Sequence, residues 1–505
     1  MPWLEWHKRD DDLKATAKTP YRLLQPVQSL SHGDEDAPNM LIQGDNLEAL
    51  KALLPYYAGQ VKCIFIDPPY NTKSAFEHYD DNLEHAQWLS MMYPRMVLLR
   101  ELLAEDGSIW ITLDDNEAHY FKVMCDEVLG RRNFVANVIW RKNYSPKSSA
   151  RHFSVDHDNL LVYAKNSDNW VPNLMPRTAE QDKAYKNPDN DPRGVWKTSD
   201  LSARNSYSLG IYPVETPSGR TIPGPPAGRY WSISKAKLAE LDADNRIWWG
   251  KDGSSAPSLK RFLTDVKQGR VPQTYWHYDE AGHTQDAKKE IVALFGDDVF
   301  GTPKPEKLMK LILEVGSSPG DLVLDSFLGS GTTAAVAHKM DRRWIGIEMG
   351  EHARTHCQPR LMKVIDGEQG GISEAIGWQG GGGFRFYQLG PKVFDDQGRI
   401  NPEIKFEHLA AHIWFAETGT ARSTRAMKSP LLGVHNGTAY YLLYNGILGD
   451  KTLAGGNMLT MKVLAGLPKH DGPMVIYGEG TNMTNDRLRS LGIKFKKTPN
   501  DIRAR

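Results

Sequence analysis

Apolar residues are spaced in two ways along this chain. In some stretches they form short, nearly continuous runs, as expected of parallel strands buried on both faces. In others they recur every three or four positions, as on one face of a helix. Residues 39–54, NMLIQGDNLEALKALL, predict a short strand, a Gly-Asp turn and a helix with Leu47, Leu50, Leu53 and Leu54 on one face. VKCIFI at 61–66 predicts a buried strand, 85–103 a helix rich in Leu and Met, and GSIWITLDDNE at 107–117 a further buried strand ending in acids. NFVANVIWRKN and HDNLLVYAKN read as two more strands, with helical crossovers completing a sheet. From about 141 to 280 the helical periodicity fades and loop and hairpin material such as GRTIPGPPAGRYW takes over. It returns at GHTQDAKKEIVALFG, an amphipathic helix, followed by a second helix that begins near Pro305 and carries Leu308, Leu311, Ile312 and Val315. Then come a strand at 322–324, a glycine turn at 327–332, a helix at 333–340 and a strand at 344–347. Beyond 384 the pattern suits a small α/β domain.

The chemistry gathers where the strands end. Pro68 and Pro69 lack an N–H, so the 61–66 strand stops there and holds Asp67 at its carboxyl end, where open α/β sheets place their ligands. Tyr70 follows at once. Asp45 occupies a similar strand-to-helix turn, where an N-cap carboxylate and a ligand contact are equally compatible with it. Asp114 and Asp115 suit capping of the helix that begins near Glu117. The segment from Asp325 through FLGSGT to Glu348 is a strand, a glycine loop, a helix and a second strand ending in an acid 23 positions later. That unit suits an adenosine-bearing ligand, with glycines admitting it to the backbone and the acid meeting two ribose hydroxyls. The loop lacks a third glycine and a G-K-[ST], which argues against NAD or ATP.

The D-P-P-Y of 67–70 resembles the catalytic motif of DNA amino-methyltransferases that use S-adenosyl-L-methionine (SAM), and the Asp325–Glu348 unit resembles their SAM site. Residues 39–54 and 61–364 follow the β group of that family, in which the catalytic motif precedes the SAM motif. The resemblance implies that Asp67, Pro68, Pro69 and Tyr70 act on the target base. It implies that Asp325, Phe327, Gly329, Gly331, Thr332 and Glu348 hold SAM, assisted by Asp45 and by Lys304 of the T-P-K-P segment, which would meet the SAM carboxylate. The expected fold is α/β: a Rossmann-like methyltransferase sheet in circularly permuted order, with an inserted target-recognition domain and a small C-terminal α/β domain. Its expected parts are an N-terminal extension (1–38), catalytic core (39–165), target-recognition domain (166–280), SAM-binding core (281–365) and C-terminal domain (384–505).

Composition adds little until it is taken locally. The 505 residues balance 62 Lys+Arg against 62 Asp+Glu, so nucleic-acid binding needs a local patch. Between 141 and 280 there are 21 basic and 16 acidic residues, a net of +5, together with Trp170, Trp196, Trp231, Trp248, Trp249 and Trp276. That mixture suits DNA contact, and equally a β-rich insertion without a ligand; the resemblance favours the first. Three scattered cysteines argue against disulfides and a zinc site, and no metal is expected. No apolar run reaches the ~18 residues of a membrane span, so the expectation is a cytoplasmic protein.

The implied function is methylation of adenine N6 at a specific site in double-stranded DNA. Cytosine N4 is the nearest alternative, and a mainly DNA-recognising scaffold for a restriction complex is another. The whole arrangement is most similar to the modification (Mod) subunit of type III restriction–modification systems, which implies a homodimer and a restriction (Res) partner. Cytosine-C5 chemistry needs a cysteine after a proline, and none is present.

Overall fold

The structure, a computed structural model, describes residues 3–72, 84–266, 268–296, 301–394, 400–401, 404–422, 429–445, 451–453 and 455–498. The chain divides into two compact units, one of Met1–Asn173 with Gln273–Arg505 and the other of Leu174–Pro272.

The larger unit is built on an eleven-stranded sheet. In chain order its strands are β1 (Arg22–Pro26), β2 (His32–Gly33), β3 (Met40–Gln43), β4 (Val61–Ile66), β5 (Leu103–Leu113), β6 (Phe134–Arg141), β7 (His157–Ala164), β8 (Tyr275–Trp276), β9 (Leu322–Asp325), β10 (Arg343–Glu348) and β11 (Gly383–Lys392). Across the sheet the order is β1-β11-β3-β10-β9-β4-β5-β7-β6-β8, with β2 on β11. From β11 to β5 every neighbouring pair is parallel. The central strands are buried along nearly their whole length, which is why they read as continuous apolar runs. Helices α1 (Asn46–Tyr57), α2 (His85–Leu102), α3 (Ala118–Cys125), α4 (Thr284–Phe295), α5 (Glu306–Gly316), α6 (Thr332–Lys339) and α7 (Gln358–Ile365) accompany it. The outcome is an α/β fold with a large, mostly parallel sheet.

Three features depart from the sequence reading. β6 and β7 pair antiparallel as a hairpin, with Trp140 opposite Asp158, so no helical crossover joins them. β1 and β11 extend the sheet from segments read as an extension and as the start of a separate domain. Trp170 and Trp276 belong to the larger unit and pack on Trp110, Trp276 stacked at 6.0 Å.

Within the same unit a four-stranded sheet spans Leu431–His435, Thr438–Leu442, Met474–Gly478 and Ile493–Lys497, the last three parallel. The smaller unit, Leu174–Pro272, has short strands: a three-stranded antiparallel sheet of Ile247–Trp248, Ser258–Phe262 and Trp196–Asp200, two strand pairs and the helix Lys235–Ala243. So little regular structure buries little surface per residue, and large rings make up the deficit. Trp231 and Trp249 sit in its core, and Trp196 is also buried. These tryptophans are packing residues, which corrects the expectation that they supply aromatic contacts to DNA. Lys260 is buried beside Asp189 and Asp191 and is paired with both.

Among the described residues no helix is long and apolar enough to cross a membrane. None of their His, Cys, Asp and Glu side chains form a cluster of three suited to a metal ion.

Candidate active site

β9 and β4 are neighbours in the sheet and run parallel, so their carboxyl ends deliver Asp325 and Asp67 to the same edge. Asp67 receives two donors. Thr112 Oγ1, on β5, donates to Oδ1 at 2.6 Å, and Lys304 Nζ donates to Oδ2 at 2.5 Å. Thr112 is fully buried, and the register that sets Ile66 opposite Ile111 brings it to Asp67. A carboxylate offers about four lone-pair directions, so two donors leave room for another.

The residues after Asp67 are clamped one by one. Trp88 Nε1 of α2 donates to the Pro69 carbonyl at 2.8 Å. The Tyr70 hydroxyl donates to Asp158 Oδ2 at 3.2 Å, and Lys142 Nζ donates to Asp158 Oδ1 at 2.5 Å. Burial, reinforced by the Asp158 and Asp67 charges, raises the Tyr70 phenol well above its ordinary range, so it stays a donor. Lys304 Nζ and Lys142 Nζ lie 5.1 and 5.8 Å from the Tyr70 ring centre, within cation–π range. Asn71 takes φ +57°, a left-handed conformation asparagine tolerates, and donates to the buried Glu117 at 2.8 Å.

The glycine loop lies between β9 and α6. The Asp325 carboxylate is 2% exposed and is engaged inside its own loop. The Phe327 N–H donates to Oδ1 at 2.9 Å and Thr333 Oγ1 to Oδ2 at 2.6 Å. Burial pushes the Asp325 carboxyl up to about 7; the Thr333 hydroxyl and Phe327 N–H oppose the shift, and the Asp67 and Glu348 charges add to it. Glu348, at the end of β10, accepts the Gly329 N–H at 2.7 Å. Gly329 and Gly331 both have positive φ, +57° and +83°. A Cβ on Gly331 would also meet the Cys357 backbone at 3.3 Å. The Cys357 thiol, kept protonated by burial, donates to the Gly329 carbonyl at 3.0 Å. Thr332 opens α6 and accepts from Arg360 Nη1 at 2.8 Å. Arg360 also pairs with Glu306 at 2.9 Å, and Glu306 pairs with Lys339, three charges buried together beneath the loop.

Asp45 caps α1 through the Leu47 and Glu48 N–H groups, at 2.9 and 3.3 Å, and pairs with Arg95 of α2 at 3.0 Å. Asn46 Nδ2 donates to the Ser326 carbonyl at 2.8 Å, which ties α1 to the glycine loop. Ser326 Oγ is itself buried without a hydrogen-bond partner.

The sequence-selected residues therefore divide. Asp67, Pro69 and Tyr70 lie in one clamped segment, and Asp325, Phe327, Gly329, Gly331, Thr332 and Glu348 form one loop and its rim. Lys304 sits on Asp67 and the Tyr70 ring. Asp114 accepts from its own turn, at Asn116 N, and Asp115 from Asn159. The sequence reading did not select Thr112, Lys142, Asp158, Trp88, Thr333 or Arg360. A glycine-lined loop closed by a carboxylate, with an orphaned hydroxyl beside it, fits a polar adenosine ligand.

A family profile described as DNA methylase matches residues 61–220 and 229–358, more than half of the chain. The Mod subunit of the type III restriction–modification enzyme StyLTI of Salmonella typhimurium is 35% identical over 333 residues, 60% of this chain and 50% of that protein. The probable type III HindVI Mod subunit of Haemophilus influenzae is 30% identical over 408 residues, 70% of this chain and 54% of that protein. The type II methyltransferase M.EcaI of Enterobacter cloacae is 34% identical over 318 residues, 62% of this chain and 66% of that one. The chain spans about half the length of the two Mod subunits it matches.

Proposed function

Since the chain belongs to the DNA methylase family, we propose that it methylates the N6 amine of an adenine swung out of double-stranded DNA, at a specific site, as the modification subunit of a type III restriction–modification system. SAM, when bound, supplies the methyl group. The observation that carries the reading is the juxtaposition of Asp67, at the end of β4, with the Asp325–Glu348 loop on the neighbouring strands.

The exocyclic amine of adenine is a poor nucleophile because its lone pair is delocalised into the ring. Asp67, already aimed by Thr112 and Lys304, accepts one amine N–H as a third donor. The Pro68 carbonyl accepts the other, since Trp88 engages the carbonyl of Pro69. Two acceptors in fixed positions turn the lone pair toward the methyl donor, and the carboxylate stabilises the positive charge that grows on nitrogen as the new N–C bond replaces the donor's S–C bond, until the nitrogen releases one proton to water. The Tyr70 ring, held at its hydroxyl by Asp158, gives the extruded base a face to stack on. When bound, the cofactor would meet the backbone at Gly329 and Gly331, Glu348 would take its ribose hydroxyls, and Asp45 would take its adenine amine. Lys304, two residues before the start of α5, faces Asp67 and would be shared between the base site and the cofactor carboxylate.

Sequence choice is assigned to residues 166–280, which include the smaller unit, and pairing with a second copy and a Res subunit follows the type III reading. One experiment tests the main claim. Unmethylated genomic DNA is incubated with the protein and SAM and sequenced with modified-base detection. N6-methyladenine at one short site is expected. N4-methylcytosine would transfer the reading to cytosine, and unmodified DNA would overturn it. Exchanging residues 166–280 for the corresponding segment of a relative should move the methylated site and leave the methylated atom unchanged; an active chimera that kept its original site would place recognition elsewhere.

A further inference from the structure

The hairpin formed by β6 and β7 has a tip, residues 143–155, to which the reaction described above gives no role. Its sequence is NYSPKSSARHFSV: Lys147, Arg151 and His152 and no carboxylate. The tip is a built structure. The Lys142 and Asn143 N–H groups donate to the Asp156 carbonyl, and Asn143 Nδ2 donates to the Val155 carbonyl at 3.0 Å. Ser154 Oγ accepts from the Lys147 N–H and donates to Asp156, both at 2.8 Å. On this frame Phe153 and Val155 face solvent, and Tyr144, its ring edge-on to Tyr278 at 5.3 Å, is largely open as well. Phe153 is 90% exposed, Tyr144 61% and Val155 50%.

Single exposed apolar residues are ordinary on protein surfaces. Here, however, three share one short tip with two basic side chains, on a hairpin whose root bears directly on the reaction. Lys142 and Asp158 stand at that root, paired with each other, and Asp158 holds the Tyr70 hydroxyl. A partner recognised by a cationic, carboxylate-free tip with a protruding ring combines negative charge with stacked apolar faces. Duplex DNA has both: phosphates for Lys147 and Arg151, and base steps that apolar side chains can enter. An adenine that leaves the helix also leaves a gap in the stack.

We propose that the 143–155 tip grips the target duplex, with Phe153 entering the base stack where the target adenine departs and Lys147 and Arg151 on the flanking phosphates. This rests on the reading of the chain as a DNA adenine methyltransferase. Phe153 is then a positioning residue for base extrusion and touches no part of the cofactor.

The test uses the full chain and two duplexes carrying the site found by sequencing: one with adenine at the target position for methylation rates, and one with 2-aminopurine there as a fluorescent report of extrusion. Phe153→Ala should lower both the extrusion signal and the methylation rate on paired DNA by at least about tenfold, because extrusion then loses the group that replaces the base in the stack. SAM affinity should not change. A duplex in which the target adenine is already mispaired should recover most of the rate, which a general loss of structure would not allow. Replacing both Lys147 and Arg151 by Ala should reduce the salt dependence of DNA binding by about two units of slope. The proposal is overturned if Phe153→Ala methylates paired and mispaired duplexes at the unaltered protein's rate. It is equally overturned if the substitutions change only self-association in sedimentation, which would make the tip a protein contact. An unaltered protein that methylates no DNA overturns the functional reading and this one together; failure of the variants alone leaves the functional reading standing.

Discussion

Asp67 and Asp325 occupy equivalent places at the carboxyl ends of two adjacent parallel strands, and the chain uses them in opposite ways. Each takes a threonine hydroxyl at 2.6 Å. Asp67 remains one-fifth exposed and has a lysine as second donor, so it is a paired charge at a surface that a ligand can reach. Asp325 is buried, its second donor is a backbone N–H of its own loop, and its nearest charges are other carboxylates. A carboxylate meant to act on a substrate keeps its charge paired and open to another donor. A carboxylate meant to shape a loop spends its lone pairs on that loop. The same residue type at the ends of neighbouring strands therefore stands in two environments, one open to a further donor and one closed by its own loop, and the proposed function places the chemistry at the first.

The sharpest way to break this contrast is to remove each acid in turn. Asp67→Ala should lower methyl transfer by about 10³-fold, as expected for a group acting directly on the reacting amine, while SAM affinity stays within a few-fold. Single-turnover transfer of a labelled methyl group and calorimetry on one preparation measure both, and near-normal transfer would remove Asp67 from the chemistry. Asp325→Asn should act mainly on stability, and through pH. An acid whose folded pKa is raised holds its proton in the fold and releases it on unfolding. Its contribution is therefore complete below about pH 4 and declines as pH rises toward 7. Asparagine has no such slope. The stability of the variant relative to the parent should improve between pH 5 and pH 7.5 by ~2.5 kcal/mol, since about two pH units of the shift fall in that window. Urea unfolding at the two pH values measures it; parallel pH dependences would show that Asp325 is not a buried, proton-holding acid.

Gly329→Val tests the loop that Asp325 shapes. A β-branched residue at φ +57° costs on the order of 1–3 kcal/mol, and the added side chain would stand where the proposed function places the cofactor. SAM affinity should fall at least about tenfold while DNA affinity is kept. Unchanged SAM binding would move the cofactor off this loop.

How much of this was legible in the sequence follows from the range of the interactions involved. β4, the proline stop and Asp67 are consecutive residues, and so are β9, the glycines and the start of α6; local pattern and backbone chemistry suffice to read them. Thr112 and Asp158 reach the site from neighbouring strands, through the pairing of β5 with β4 and of β7 with β6, and nothing in their own stretches announces which residue they will meet. Lys304 was selected as a cofactor contact because it lies beside a conspicuous proline motif, yet its partner is the acid of a strand 237 positions earlier. The tryptophans of the middle segment misled for a related reason. A composition rich in basic and aromatic residues is shared by a DNA-binding surface and by a small domain that needs large rings to fill its core, and only packing separates them. The β6–β7 hairpin was missed as a hairpin because its long, irregular tip carries no two-residue turn signal of the kind that marks short hairpins.

The smallest expected effects divide the two acids most cleanly, because they leave both carboxylates in place. Thr112 and Thr333 are both buried, each donates one hydroxyl to one aspartate at the same 2.6 Å, and valine matches threonine in shape while lacking the hydroxyl. A hydrogen bond to a charged group contributes about 1.5 kcal/mol or somewhat more, close to a factor of ten. If Asp67 acts on the target amine, Thr112→Val loosens its aim and should lower kcat about tenfold with SAM affinity unchanged. If Asp325 shapes the cofactor loop, Thr333→Val should weaken SAM binding by a similar or smaller factor and leave kcat at saturating SAM nearly as it was. Serine at either position restores the hydroxyl and should restore the lost parameter, which distinguishes a lost hydrogen bond from a disturbed core. Two variants that lost the same parameter would show that the acids share one task, and the division drawn between β4 and β9 would be wrong. Loss of kcat in one and of SAM affinity in the other would establish that division with the two carboxylates themselves untouched.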